Sequence, residues 1–185
     1  MKKLIITLMV AVVGFTAKAQ EFNLGLSAAT PVGEAGDLFS STFILDAEYL
    51  HKMSEKIKLG ATTGYLFSAS NSDSDRVTLL DGNTIRSTSI PNTGFIPLAA
   101  SFRFMATEKL TFGADGGYAF GVTPSNIKGG FYFALKAQYQ VKDYLYLSTS
   151  YRSIILDDTR DPNIYDVGDD KLNLGFLSFG VLIKL

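Results

Sequence analysis

Of the residue types most used in acid, base or nucleophilic chemistry the chain has one histidine and no cysteine, and the spacing of its serines and carboxylates is uninformative. A single histidine, His51, stands in Tyr49-Leu50-His51-Lys52. Imidazole acts as a base only beside the serine or carboxylate it serves, so its meaning depends on the element that carries it. Ser125-Asn126-Ile127-Lys128 has the S-x-x-K spacing of serine acyl-enzymes, but no K-T-G box accompanies it. Gly116 to Gly121 has phosphate-loop spacing without the following Lys and Ser/Thr. Asp157, Asp158, Asp161, Asp166, Asp169 and Asp170 supply oxygen ligands of the kind Ca²⁺ takes, yet not in the D-x-[DN]-x-[DN]-G order of a calcium loop. They read as a solvated acidic loop. With no cysteine in the chain, thiolate metal sites and disulfides are excluded. No catalytic, cofactor-binding or metal residue is assigned, and none of these motifs implies a cofactor.

The elements that would have to position such groups begin after a targeting segment. Lys2 and Lys3 precede an apolar stretch from Leu4 to Phe15, and Ala17-Lys18-Ala19 fits an A-x-A cleavage site. The stretch is shorter than the roughly 20 apolar residues a membrane helix needs. Residues 1–19 are therefore expected to be a cleavable signal peptide and residues 20–185 the mature domain. A lipoprotein signal would require a cysteine. Loss of Lys2, Lys3 and Lys18 leaves 14 basic against 18 acidic residues, about −4. That is no nucleic-acid footprint, which calls for a clustered basic face. No later run of 18 apolar residues occurs, which excludes a helical membrane protein. The 14 Phe, 9 Tyr and 17 Gly with no Trp suit strands.

Eight segments alternate with period two. In Phe22 to Thr30, Phe22, Leu24, Leu26 and Ala28 oppose Asn23, Gly25 and Ser27. Thr42 to Leu50 sets Phe43, Leu45, Ala47 and Tyr49 against Asp46 and Glu48. Further segments follow at Ile57 to Ser68, Ile96 to Phe104, Leu110 to Gly121, Phe131 to Gln140, Leu145 to Arg152 and Leu172 to Leu185. The last has opposite parity in its first half, which predicts a bulge near Gly175. Pro97 lies inside a strand, where its missing N–H predicts another.

The connections set the environment. Short polar ones at Met53-Ser54-Glu55, Ala106-Thr107-Glu108 and Val141-Lys142-Asp143 alternate with longer ones near 31–41, 70–92, 122–129 and 157–171. Short periplasmic turns at one end and long extracellular loops at the other characterise an outer-membrane barrel. Lys58, Arg103, Lys136, Arg152 and Lys184, with Asp46, Glu48 and Asp115, fall on the face opposite the aromatics, so charges should be enclosed and apolar groups should meet lipid. Two aromatic girdles are expected. Tyr65, Phe67, Tyr118, Phe120 and Phe131 lie near the outer rim, and Phe22, Tyr49, Phe102, Phe104 and Tyr139 near the inner. On this topology His51 lies at the periplasmic end of the second strand, away from the outer surface, and reads as structural. Gly116 to Gly121 then sit in a strand, where they read as room for the enclosed network. The second long loop, with Val77, Leu79 and Leu80, is expected to extend strands three and four outward as an edge for a partner.

Over nearly all its mature length the chain resembles the outer-membrane β-barrel domain family, the small OmpA/OmpX-like eight-stranded barrels. The resemblance rests on Phe22-Asn23-Leu24-Gly25-Leu26, on Phe95-Ile96-Pro97-Leu98 with Phe102-Arg103-Phe104, and on Gly180-Val181-Leu182-Ile183-Lys184-Leu185. It implies insertion by the outer-membrane assembly machinery, which reads a C-terminal strand usually ending in an aromatic; here Leu185 stands last. It implies no shared catalytic residues.

The expectation is thus an all-β, eight-stranded antiparallel up-and-down transmembrane β-barrel in the outer membrane of a Gram-negative bacterium. It is non-enzymatic, with a structural or surface-interaction role and a side-chain-filled lumen. Its partners are outer-membrane lipid and lipopolysaccharide, the assembly machinery during insertion, and an extracellular partner at the long loops; nucleic acid is not among them, and the barrel is a monomer. The alternatives are a narrow porin-like pore or ligand channel, and a soluble periplasmic ligand binder of lipocalin type. Eight strands leave an interior that side chains can fill, which argues against the pore.

Overall fold

The computed structural model describes residues 20–71, 77–78, 84–85, 91–124, 127–156 and 172–185. The elements in chain order are β1 (Gln20–Val32), α1 (Glu34–Leu38), β2 (Phe39–Lys52), β3 (Ile57–Ser70), β4 (Val77–Thr78), β5 (Thr84–Ile85), β6 (Thr93–Met105), β7 (Leu110–Thr123), β8 (Gly130–Lys142), β9 (Leu145–Leu156) and β10 (Asn173–Lys184). Eight of the strands close into one antiparallel barrel in the order β1-β10-β9-β8-β7-β6-β3-β2. Sequence neighbours pair all the way round, and the first and last strands form the closing seam, from Asn23 opposite Lys184 to Val32 opposite Gly175. The Leu185 N–H donates to the Phe22 carbonyl at 2.8 Å, so the seam runs to the last residue.

The period-two pattern becomes two faces. Leu26, Phe43, Leu45, Leu98, Leu135 and Phe179 point outward and are more than half exposed (58, 58, 57, 58, 57 and 63 %), while Arg103, Glu48 and Arg152 are sealed inside at 0, 0 and 1 %. On a water-soluble barrel the facing would be the reverse. The aromatics flank this apolar band as expected: Phe22 lies opposite Tyr49 near the turn end, and Tyr118 opposite Phe131 toward the loop end.

Two of the short turns are fixed by hydroxyls that accept from the backbone, as Ser and Thr do in tight turns. Ser54 Oγ accepts from the Ile57 N–H at 3.1 Å, and Thr107 Oγ1 from the Leu110 N–H at 3.0 Å. The third turn is tighter than expected. Val141 and Lys142 belong to β8, across a register shift between Gln140 and Lys142, leaving Asp143-Tyr144 as the connection. The first long connection also shortens: Gly33, with φ 62°, turns the chain into α1, and strand pairing resumes at Phe39. Within the second, β4 and β5 pair as a separate two-stranded sheet rather than as a continuation of the barrel ladders.

Both expected bulges are corrected. β10 keeps one register with β1 and with β9 through Gly175. Its parity changes because the interior changes: Leu174 and Phe176 point inward and are buried, so both faces of the strand are apolar there. At Pro97 no residue is inserted. Pairing with β3 lapses between Thr63 opposite Leu98 and Leu66 opposite Phe95, and the Thr63 hydroxyl donates to the Pro97 carbonyl at 2.8 Å. A missing donor removes ladder bonds without requiring an extra residue. The irregularity of β6 against β7 falls instead at Gly94 and Phe95.

The signal-peptide reading of residues 1–19, the six aspartates of 157–170, Ser125 and Asn126 lie outside the described residues.

Candidate functional site

The lumen is the only place where the described charged groups converge away from water, and it is built in three storeys. In the middle lies an ion network drawn from five strands. Arg103 of β6 donates through Nη2 to Glu48 Oε1 and through Nη1 to Asp115 Oδ1, both at 2.6 Å. Lys136 of β8 completes the ring, 2.7 Å from Glu48 Oε1 and 2.9 Å from Asp115 Oδ2. Beside it Arg152 of β9 grips Asp46 of β2 with two nitrogens, at 2.8 and 2.6 Å, while its Nε donates to Ser150 Oγ at 2.9 Å. Three carboxylates meet three cations, so the storey is neutral. Pairing and hydrogen bonding are what allow such charges to be buried. Room for the Arg103 head comes from Gly113, where a Cβ would sit 2.6 Å from Arg103 Cδ and 2.7 Å from Nη1. The glycines of 116–121, expected to make that room, do not: nothing lies within 4 Å of a Cβ at Gly116, and one at Gly117 would meet the backbone of Leu98 and Ala99.

Toward the loop end the interior turns apolar. Phe39, Ile44, Leu66, Phe95, Ile154, Leu174 and Phe176 are buried against one another, with Tyr132 and Ala35. Ala35 is carried by α1, which lies over this mouth. Asn71 holds the helix by donating from its backbone N–H to the Leu38 carbonyl at 3.1 Å, and Glu34 Oε2 accepts from the Asn173 N–H at 2.7 Å. This apolar storey was missed by the sequence reading, which looked for polar residues on the inward face.

At the turn end the lumen stays open as a cup of about 420 Å³ whose walls include Glu21, Lys52, Lys58, Asp143, Tyr146 and Lys184. Glu21 Oε2 receives Lys58 Nζ at 2.6 Å and lies 3.4 Å from Lys184 Nζ. Glu21 too was missed, because the first strand was begun at Phe22; the parity of Asn23 and Gly25 extends back to it.

All eight charges assigned to the polar face point into the lumen. The structure does not bring His51 to them. It is exposed at the turn end of β2, opposite Gln20 and Leu59. Lys128 is exposed near the other end of the barrel. Among the described residues no group of His, Asp or Glu has the geometry to hold a metal.

A closed, eight-stranded, antiparallel up-and-down barrel with charges inside and an apolar exterior defines the class: this is the transmembrane β-barrel fold of the small outer-membrane barrels. No protein-family model and no curated protein matches the sequence. Solved structures do match. A de novo designed transmembrane β-barrel superposes with a TM-score of 0.52 at 11% identity, over 91% of this chain and 98% of that one. Ail, the attachment invasion locus protein of Yersinia pestis, does so with 0.51 at 12% identity, over 91% and 100%. The same protein in complex with the heparin analogue sucrose octasulfate gives 0.50 at 11% identity, over 90% and 97%. At such identities the likeness is one of fold.

Proposed function

We propose that the chain is an integral outer-membrane protein, exported by a signal peptide cleaved before Gln20, and that it serves a non-enzymatic structural or surface-interaction role. The observation that carries the reading is the filled lumen. Among the described residues the ion network and the apolar storey beneath α1 fill the middle and loop-end parts of the lumen, which supports a scaffold over the pore alternative. The apolar exterior favours lipid over the lipocalin-type alternative. Lipid and lipopolysaccharide surround a monomeric barrel in this reading, the assembly machinery inserts it, and the loop end meets an extracellular partner. Ail, described with a heparin analogue, supplies a fold-level parallel for such a partner.

Planar-bilayer recording on the refolded mature chain tests the scaffold reading: the bilayer should remain silent. Steady unitary conductance would install the pore in its place. Fractionation of the native host, with N-terminal sequencing of the outer-membrane product, tests the location and should begin at Gln20.

A further inference from the structure

The turn-end cup carries an arrangement that the ion network leaves unused. In the β2–β3 ladder Lys52 lies directly opposite Lys58, and in the β3–β6 ladder Lys58 lies directly opposite Arg103, all three on the inward face. Like charges facing each other across a ladder are destabilising unless something negative lies between or beside them. Arg103 has Glu48 and Asp115, and Lys58 has Glu21. Lys52 has no carboxylate partner among the described residues. Lys184 approaches Glu21 only at 3.4 Å, behind the shorter Lys58 contact. The side chains of the cup thus set three ammonium groups against Glu21 and Asp143.

Its floor is also unfinished. A crevice of about 10 Å³, room for one water, continues the cup past Glu21, Lys58 and Tyr146 to Asn23, Arg103 and Gln138. There Asn23 Oδ1, Arg103 Nε and Gln138 Nε2 are buried without a hydrogen-bond partner, which buried polar groups rarely are. Above it the lining residues mostly carry polar ends: Gln20, Gln140 and Tyr146 join the lysines, and Met105 is the one residue of the lining without a polar group. Hydroxyl groups of a ligand find donors and acceptors there. The volume lies in the range of small-molecule sites, well above what a bare ion fills.

We propose that the turn-end cup binds a small hydroxylated anion, a sugar phosphate or a sugar acid. Its oxyanion takes hydrogen bonds from Lys52 and Lys184, and its hydroxyls face Gln20, Gln140 and Tyr146. Lys58 remains tied to Glu21, so Glu21 is a competitor of the ligand rather than part of its grip.

The test uses the refolded mature protein in detergent micelles, where both ends of the barrel are open to solvent. Isothermal titration is run with glucose 6-phosphate, glucuronate, inorganic phosphate and glucose. The two sugar anions should bind saturably and weaken as salt is raised, inorganic phosphate should bind more weakly, and glucose not at all. Lys52→Gln should weaken glucose 6-phosphate binding about tenfold, the scale of one lost hydrogen bond between charged groups. Glu21→Gln should tighten it several-fold by freeing Lys58 and Lys184. Each variant is first checked for the slower or faster gel mobility of unheated folded protein, and Lys184→Gln serves as a second probe if Lys52→Gln does not fold. No saturable binding, equal affinity for glucose, or loss of binding in Glu21→Gln overturns the proposal, the last by making the carboxylate the binding group. Inorganic phosphate binding as tightly as glucose 6-phosphate removes the sugar from it. The measurement does not depend on orientation in a membrane, so its failure leaves the outer-membrane reading intact.

Discussion

Arg152 and Asp46, 106 positions apart in sequence, meet across the lumen through two parallel hydrogen bonds of 2.8 and 2.6 Å. Their strands, β9 and β2, are separated in the barrel wall by β10 and β1. The pair is therefore a strut spanning the closing seam, and both side chains are almost wholly removed from solvent.

Removing one end of that strut should be far worse than removing both. Asp46→Asn leaves a guanidinium buried without its counter-charge, a situation that destabilises by about 3–5 kcal/mol. Asp46→Leu combined with Arg152→Met replaces the pair by apolar groups and should recover most of the loss. Reversible urea unfolding in lipid vesicles measures both. Equal losses in the single and double variants would show that the charges are not coupled.

The facing of β8 can be tested with two residues three apart. Leu135 is outward and 57 % exposed, midway along the strand, whereas Gln138 is buried at 5 %. Leu135→Arg sets a guanidinium against hydrocarbon and should destabilise by roughly 2 to 4 kcal/mol. Gln138→Glu is nearly isosteric and lies in the crevice with Lys58 and Arg103, so it should be much milder. The opposite order in the same unfolding assay would exchange inside and outside.

Two glycines of β7 offer a contrast in space. Gly113→Ala pushes a methyl into Arg103 and should destabilise by about 1–3 kcal/mol, as overpacking does. Gly116→Ala meets nothing within 4 Å and should be neutral or stabilising by up to about 1 kcal/mol, through the unfolded chain. A harmless Gly113→Ala in the same unfolding assay would show that the Arg103 head does not lie against β7.

Closure predicts resistance to detergent, because each of the eight barrel strands is paired on both sides and none of them presents a free edge. Unheated protein should migrate on an SDS gel differently from boiled protein. In intact cells, external protease should spare Glu55, Glu108 and Asp143. Cleavage at those turns would reverse the orientation.

How much of this was legible beforehand follows from what alternation encodes. Period-two spacing reports which residues share a face, so the eight strands and the inward set of Asp46, Glu48, Arg103, Asp115, Lys136 and Arg152 could be read directly. It reports nothing where both faces carry the same character. That is why Leu174 and Phe176, buried on the inner face of β10, looked like a break in phase at Gly175. The cup was illegible for another reason. Alternation assigns Lys58 and Lys184 to the inward face but not the neighbours they meet, Glu21 and Lys52 lie just beyond the expected strand bounds, and only the ladder register places Lys52 against Lys58. The contact of α1 with the mouth depends on Asn71 and Asn173, which are distant in sequence and carry no local signal.

The seam between β1 and β10 sets the order of events in the making of this molecule. Asn23 can pair with Glu48 of β2 early, but its second partner, Lys184, comes only with β10. Until then β1 lacks one neighbour, and a growing sheet with an unpaired border is a template for other chains. Closing so long a loop is also a slow search, since contacts between the ends of a chain form against the entropy of everything between them. A chain whose β10 has not yet docked is therefore the form most exposed to pairing with its copies.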